Sequence, residues 1–227
     1  MKQKLRFDIA ISSYCQAKCP SCARTNPDTL EKVDWLQPSH INVEVFKKIV
    51  DSAVKMDPNV VFQFCGELGD PLMHPNIEEL IDYAMEYSNG VEVNTNGGLR
   101  NSDFFKKMAE RWEYTGDYSA EDAKMLKFIF GIDGVSKESS EAYRIGVDWE
   151  RAVTNMQTWA SNGGRGEWHF ILFEHNWQEI PMAIRLAEII DYPIFFKFNG
   201  RDYGMISDHG RREAYRMLEE LDGEIVP

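Results

Sequence analysis

Six times along this 227-residue chain a short stretch of strand-like periodicity gives way to a longer stretch of helical periodicity. That alternation limits the possible folds more than any other feature. "LRFDIAIS" (5–12), "NVVFQFC" (59–65), "VEVNT" (91–95), "MLKFIFGI" (125–132), "EWHFILF" (167–173) and "PIFFKFN" (193–199) read as strands. Helical spacing follows over 42–56, 76–88, 102–112, 148–161, 179–190 and 208–221. Ser102 is read as an N-cap, Asn89-Gly90 and Asn162-Gly163-Gly164 as helix stops, and Pro181 as a helix start. Strands separated by crossover helices pair in parallel, so the fold class is α/β. An open doubly wound sheet and a partial (β/α)6 TIM-like barrel both satisfy the pattern. In either, ligands bind at the carboxyl ends of the strands.

The unusual residues fall on that rim. Three of the four cysteines, Cys15, Cys19 and Cys22, sit in "CQAKCPSC" after the first strand. "CGELGDP" follows the second strand, "NTNGG" the third, "GIDG" the fourth, "EHN" the fifth and "NGRD" the sixth. Residues 1–200 are assigned to this unit, and 201–227 to a loop and helix packed on it. The segment "EYTGDYSAED" (113–122) reads as a surface excursion.

Composition sets the setting for the thiols. With 43 % hydrophobic and 27 % charged residues, the chain has globular composition and does not need disulfides for a core. A net charge of −12 argues against a general nucleic-acid binder. No membrane-length apolar run or cleavable leader is read, which gives a cytoplasmic expectation. There, clustered cysteines signal metal binding or catalysis rather than disulfides. The spacing C-x3-C-x2-C leaves two readings open. One is a zinc-stabilised α/β binding protein, with Cys65 or His40 as the fourth ligand. The other is an iron–sulfur cluster with one iron left without a protein ligand.

"CQAKCPSC" after a first strand and Gly66-Glu67 after the second, on six β/α units, resemble the radical S-adenosylmethionine enzymes. "FGIDGVSKESSEAYRIGVDWERAVTNM" and "FILFEHNWQEIPMAIRLA" resemble the branch of peptide-modifying maturases and the molybdenum-cofactor cyclase. The resemblance implies a partial (β/α)6 barrel. It implies that Cys15, Cys19 and Cys22 hold one 4Fe–4S cluster whose fourth iron chelates S-adenosylmethionine. One electron then cleaves S-adenosylmethionine to methionine and a 5′-deoxyadenosyl radical, which takes hydrogen from a peptide or small-molecule substrate. A flavodoxin- or ferredoxin-like electron donor is implied as partner.

The resemblance also assigns cofactor contacts to Gly66, Glu67, Thr95, Asn96, Asp133 and Arg144. Asp70 is read as sharing the polar role of Glu67. The match departs at Ser21, where many relatives carry an aromatic residue beside adenine, so Tyr14 and Phe64 are considered instead. Cys65 is expected as a buried thiol, and His74 as a turn residue. His169 is expected to be structural, and His175 and Asn176 to form a structural or cofactor-contacting pair. Lys197 and Arg201 are expected as solvated charge, with contact to an anionic substrate as the alternative. No cysteine is left to build a second cluster with Cys65. The expected cover over the substrate is the 25–41 loop and the chain after the last strand.

Overall fold

The computed structural model describes residues 5–113, 124–200, 204–221 and 223. Arg201 and all but the first residue of the 113–122 excursion lie outside them. Six strands form one sheet in chain order: β1 (Arg6–Ile9), β2 (Val61–Phe64), β3 (Gly90–Thr95), β4 (Met125–Gly131), β5 (Arg165–Leu172) and β6 (Ile194–Phe198). Every neighbouring pair is parallel. β1 and β6 do not pair, so the barrel is partial and the sheet stays open. Crossover helices are α1 (Val43–Met56), α2 (Ile77–Tyr87), α3 (Ser102–Arg111), α5 (Trp149–Ser161) and α6 (Ile180–Ile190). A short α4 (Lys137–Glu141) precedes α5, and α7 (Asp208–Glu220) follows β6. No helix among the described residues is long and apolar enough to cross a membrane.

The strands separate two chemistries by their period of two. One face is aromatic and covered by helices: Phe62, Phe64, Phe128, Trp168, Phe170 and Phe196 are fully buried. Phe128 packs on Trp159 of α5 and Phe105 of α3, with ring centroids 4.7 and 5.2 Å apart. Such edge-to-face pairs add specific contact to the area they bury. Trp168 Nε1 donates to Ile132 O at 2.8 Å and Tyr192 Oη to Phe128 O at 2.7 Å, so the polar ends of these large side chains are satisfied inside the core. The other face carries Gln63, Glu92, Lys127, Glu167, His169 and Lys197, none of them fully buried.

Local details correct several expectations. The N-cap of α3 is Asn101, whose side chain accepts from Phe104 N; Ser102 is the first helical residue. α2 ends at Tyr87 with Ser88 as C-cap, and Gly90 already belongs to β3. Gly90 is needed for pairing: at φ +145 a Cβ would lie 2.8 Å from Met125 O of β4. β1 is shorter than its apolar run because the chain leaves the ladder after Ile9, and Ser12 then bridges His40. Helix α4 was not expected; a capping box between Ser136 and Ser139 starts it. Asn162 is the C-cap of α5, followed by Gly163 at φ +83, as the stop pattern implied.

Helix α7 closes over the end of α6 and β6. Gly210 lies against the Trp177 ring, Ala214 and Leu218 are buried, and Tyr215 packs on Phe198 at 4.9 Å.

Phe128→Ala removes the ring shared by α3, α5 and β4. It is expected to lower the unfolding free energy by about 3–5 kcal/mol in a urea titration. A loss below about 1 kcal/mol would mean that this aromatic layer does not hold the helices to the sheet.

Candidate active site

The loop after β1 is gripped from three directions. Asp70 N donates to Tyr14 O at 2.7 Å, Lys18 N to Ile145 O at 2.8 Å, and Gln16 Nε2 to Asn96 Oδ1 at 2.8 Å. Asn96 Nδ2 also lies 3.6 Å from Cys15 Sγ. Gly69 is where two of these loops touch: an added Cβ would stand 2.3 Å from Ser12 O, so a side chain there would push the cysteine loop away. Within the loop, Cys22 N donates to Cys19 O and Thr25 N to Cys22 O. Cys19 is buried, and Cys15 and Cys22 are half-buried.

Asp70, in the loop after β2, is buried, and its carboxylate ties that loop to the end of β3. It accepts from Leu72 N at 2.9 Å, from Thr95 Oγ1 at 2.9 and 3.1 Å, and from Asn96 N at 2.9 Å. Burial pushes its carboxyl above the usual range, against the pull of these donors. Asp133 does the same work across the rim. It is fully buried, accepts from Ile171 N at 2.8 Å, and forms an ion pair with Arg144 Nε at 2.6 Å. Asn176, also fully buried, donates to Asp133 O and Ile171 O and accepts from Phe173 N.

Between these braces lies a cavity of about 660 Å³, within the range of small-molecule sites. Cys15, Cys19 and Cys22 line it, with Arg24 beside them. Gly66, Asp70, Thr95, Asn96, Gly131 and Arg144 form its rim. Its floor is the polar face of the sheet, with Arg6, Gln63, Glu92, Asn94, Glu167 and His169 and, toward β6, Lys197. Burial, then the charge of Asp70, pushes the Cys15 thiol up to about 12. Burial also raises Cys19, opposed by Arg144. Among the described residues, no three His, Cys, Asp or Glu side chains are arranged as a metal site.

The cavity brings together the three cysteines, Gly66, Thr95, Asn96 and Arg144. It does not include Glu67, which is exposed, or Asp133, whose carboxylate is committed to Arg144 and Ile171. Neither proposed fourth zinc ligand lines it: Cys65, half-buried rather than buried, follows β2, and His40 stacks on Tyr14 with ring centroids 4.6 Å apart. Phe64 is fully buried against Phe46 and has no face free for adenine; Tyr14 is 39 % exposed. His74 holds its turn through Ile41 O and Asn76 N. His175 stacks on Phe173 outside the cavity.

Two features went unread in the sequence. Arg24, 8 % exposed and with a buried Nη1 that has no hydrogen-bond partner, gave no signal beyond its nearness to Cys22. The polar floor had a signal, the alternation in "VFQF", "VEVN" and "EWHF", which marks one face of each strand as polar.

No family model matches the chain. A tungsten-containing aldehyde ferredoxin oxidoreductase cofactor-modifying protein of Pyrococcus furiosus is 24 % identical over 102 residues, 45 % of this chain and 26 % of that protein. SuiB of Streptococcus suis, solved with S-adenosylmethionine, matches with a TM-score of 0.69 at 12 % identity, over 98 % of this chain and 49 % of SuiB. A second SuiB structure holds the precursor peptide SuiA. The radical S-adenosylmethionine methyltransferase TsrM of Kitasatospora setae matches with a TM-score of 0.54 at 9 % identity, over 86 % of this chain and 35 % of TsrM. The chain thus spans about half the length of SuiB and about a quarter of the curated relative. The resemblance to radical S-adenosylmethionine enzymes holds in the fold: an open six-stranded parallel α/β sheet.

The Asp133–Arg144 pair gives a direct test of the rim. Asp133→Asn leaves the half-buried Arg144 guanidinium without its counter-charge and is expected to cost about 1.5–3 kcal/mol of stability. Adding Arg144→Met to that variant should recover about 1 kcal/mol or more in a double-mutant cycle. Strictly additive losses would show that the two side chains do not act as a unit.

Proposed function

We propose that the chain is a radical S-adenosylmethionine enzyme, with the cavity behind the cysteine loop as its reaction chamber. The observation that carries this reading is the donor set: three thiols line one cavity, and neither Cys65 nor His40 joins them. Three ligands suit a 4Fe–4S cluster that keeps one iron for an exogenous molecule. Arg24 fits the same centre, because a buried guanidinium with an unpaired Nη1 calls for an anionic neighbour, and thiolates bound to iron supply one. When bound, the cluster supplies one electron that splits S-adenosylmethionine into methionine and a 5′-deoxyadenosyl radical able to take hydrogen from a substrate.

The protein's part is to hold and orient. Cys15, Cys19 and Cys22 would hold the cluster on a loop fixed by Tyr14 O, Gln16 and Lys18 N. Gly66 lets the backbone approach the cofactor. Glu67, an exposed carboxylate next to cavity-lining Gly66, would accept hydrogen bonds from the cofactor's amino group, while Asp70 fixes Thr95 and Asn96 for contacts to its polar end. Arg144 faces the cavity beside Cys19 with its charge steadied by Asp133, and would offer its outer nitrogens to a carboxylate. Asp133 therefore acts on the cofactor through Arg144. A flavodoxin- or ferredoxin-like donor supplies the electron, and a peptide or small molecule is the substrate. SuiB, which binds a precursor peptide, supports the peptide option.

Anaerobic reconstitution should load about four irons per chain, the content of one 4Fe–4S cluster. Cys15→Ala, Cys19→Ala and Cys22→Ala should each abolish that loading, and Cys65→Ala should leave it intact. Loss of iron on Cys65→Ala alone would overturn the three-thiolate assignment.

A further inference from the structure

The cavity floor carries a positive charge that the reading above does not use. Of the cations lining the cavity, Arg6 reaches Gln63 and Glu92, Arg144 is held by Asp133, and Arg24 faces the thiols, where its charge acts on Cys15. Lys197 is different. Among the described residues its ammonium has no hydrogen bond or ion pair.

Lys197 lies on β6, the edge of the open sheet, and β5–β6 register sets it beside Ile171, with His169 beside Phe195. Residues paired in this way share a face, so Lys197, His169 and Glu167 look into the same space. Glu167 accepts a hydrogen bond from His169 Nε2 at 2.7 Å. That bond holds its carboxyl below the usual range, with the charges of Lys127 and Lys197 adding to the effect. Lys127 also faces Glu92 across the β3–β4 register and does not line the cavity, so Lys197 is the ammonium that looks into it, with no hydrogen bond or ion pair among the described residues. In a chain with a net charge of −12, a cavity-lining ammonium without an ion-pair partner among the described residues is a ready contact for an anion.

We propose that Lys197, beside the His169–Glu167 pair, is the receptor for a carboxylate on the substrate. The site selects substrates with one negative charge, such as the aspartate or glutamate side chain of a peptide. A single carboxylate suits one ammonium; a dianion such as a phosphate monoester would bring a second negative charge up to Glu167. The position suits a peptide, because Lys197 stands on an edge strand of the open sheet and SuiB, which has a similar fold, was solved with a precursor peptide. The assignment rests on the cavity being the reaction chamber, and its test separates the two ideas.

The probes are N-acetylglutamate α-amide, which carries one carboxylate, and its neutral isostere N-acetylglutamine amide. Both are titrated calorimetrically into the iron-loaded full chain, into Lys197→Met and into Lys197→Arg, with S-adenosylmethionine titrated into the same samples. The native chain should prefer the carboxylate about tenfold or more, as a charge-assisted hydrogen bond implies. Lys197→Met should lose that preference and Lys197→Arg should keep it, with S-adenosylmethionine affinity unchanged in both. Equal binding of the two probes, binding of neither, or a preference that survives Lys197→Met would overturn the assignment. Failure of S-adenosylmethionine to bind the native chain would instead remove the enzyme reading, whatever the probes do.

Discussion

The carboxylate of Asp70 holds the site together. It is buried, yet both its oxygens are occupied by donors from its own loop and from the end of β3. A buried carboxylate is tolerated only when satisfied in this way, and each charge-assisted bond contributes about 1.5–3 kcal/mol. The same residue's backbone N–H holds Tyr14 O, so the second and third rim loops and the cysteine loop meet at one residue. Asp133 repeats the device for the fourth and fifth strands and delivers Arg144 to the cavity. The rim is thus two buried carboxylates with the cysteine loop spanning between them, which makes its geometry a property of the core rather than of flexible loops.

The division of the sheet into an aromatic face and a polar face explains the rest. A closed barrel of this size would fill its interior with side chains. Here the sheet stays open, stability comes from the helix-covered face, and the other face is left free to carry Gln63, Glu92, Glu167, His169 and Lys197 into a cavity. The polar residues are thereby relieved of any role in the core.

Much of this was legible in the sequence because it depends on local pattern. The period-two and helical stretches gave all six strands and their parallel order, and the placing of odd residues after strands gave the rim. What escaped depends on contacts between distant segments. Asp70 and Glu67 lie three residues apart in one motif, and only the fold decides that Asp70 turns inward while Glu67 stays exposed. Asp133 and Arg144 were each read as ligand contacts; their mutual pairing across eleven residues needs the turn around α4 that the sequence reading lacked. Phe64 looked available for stacking because strand parity, not residue type, determines which face an aromatic joins. The Asn101 cap was misplaced by one residue, since Asn and Ser are both good caps and stand side by side.

The central claim is that three thiolates and the cavity behind them direct reductive cleavage of S-adenosylmethionine. Its most direct measurement is anaerobic incubation of the reconstituted chain with S-adenosylmethionine and a strong one-electron reductant, with 5′-deoxyadenosine and methionine quantified together. The account predicts both products in equal amounts from the native chain and neither from Cys15→Ala. A folded, metal-loaded chain that binds stoichiometric zinc in place of iron and releases no 5′-deoxyadenosine would contradict it.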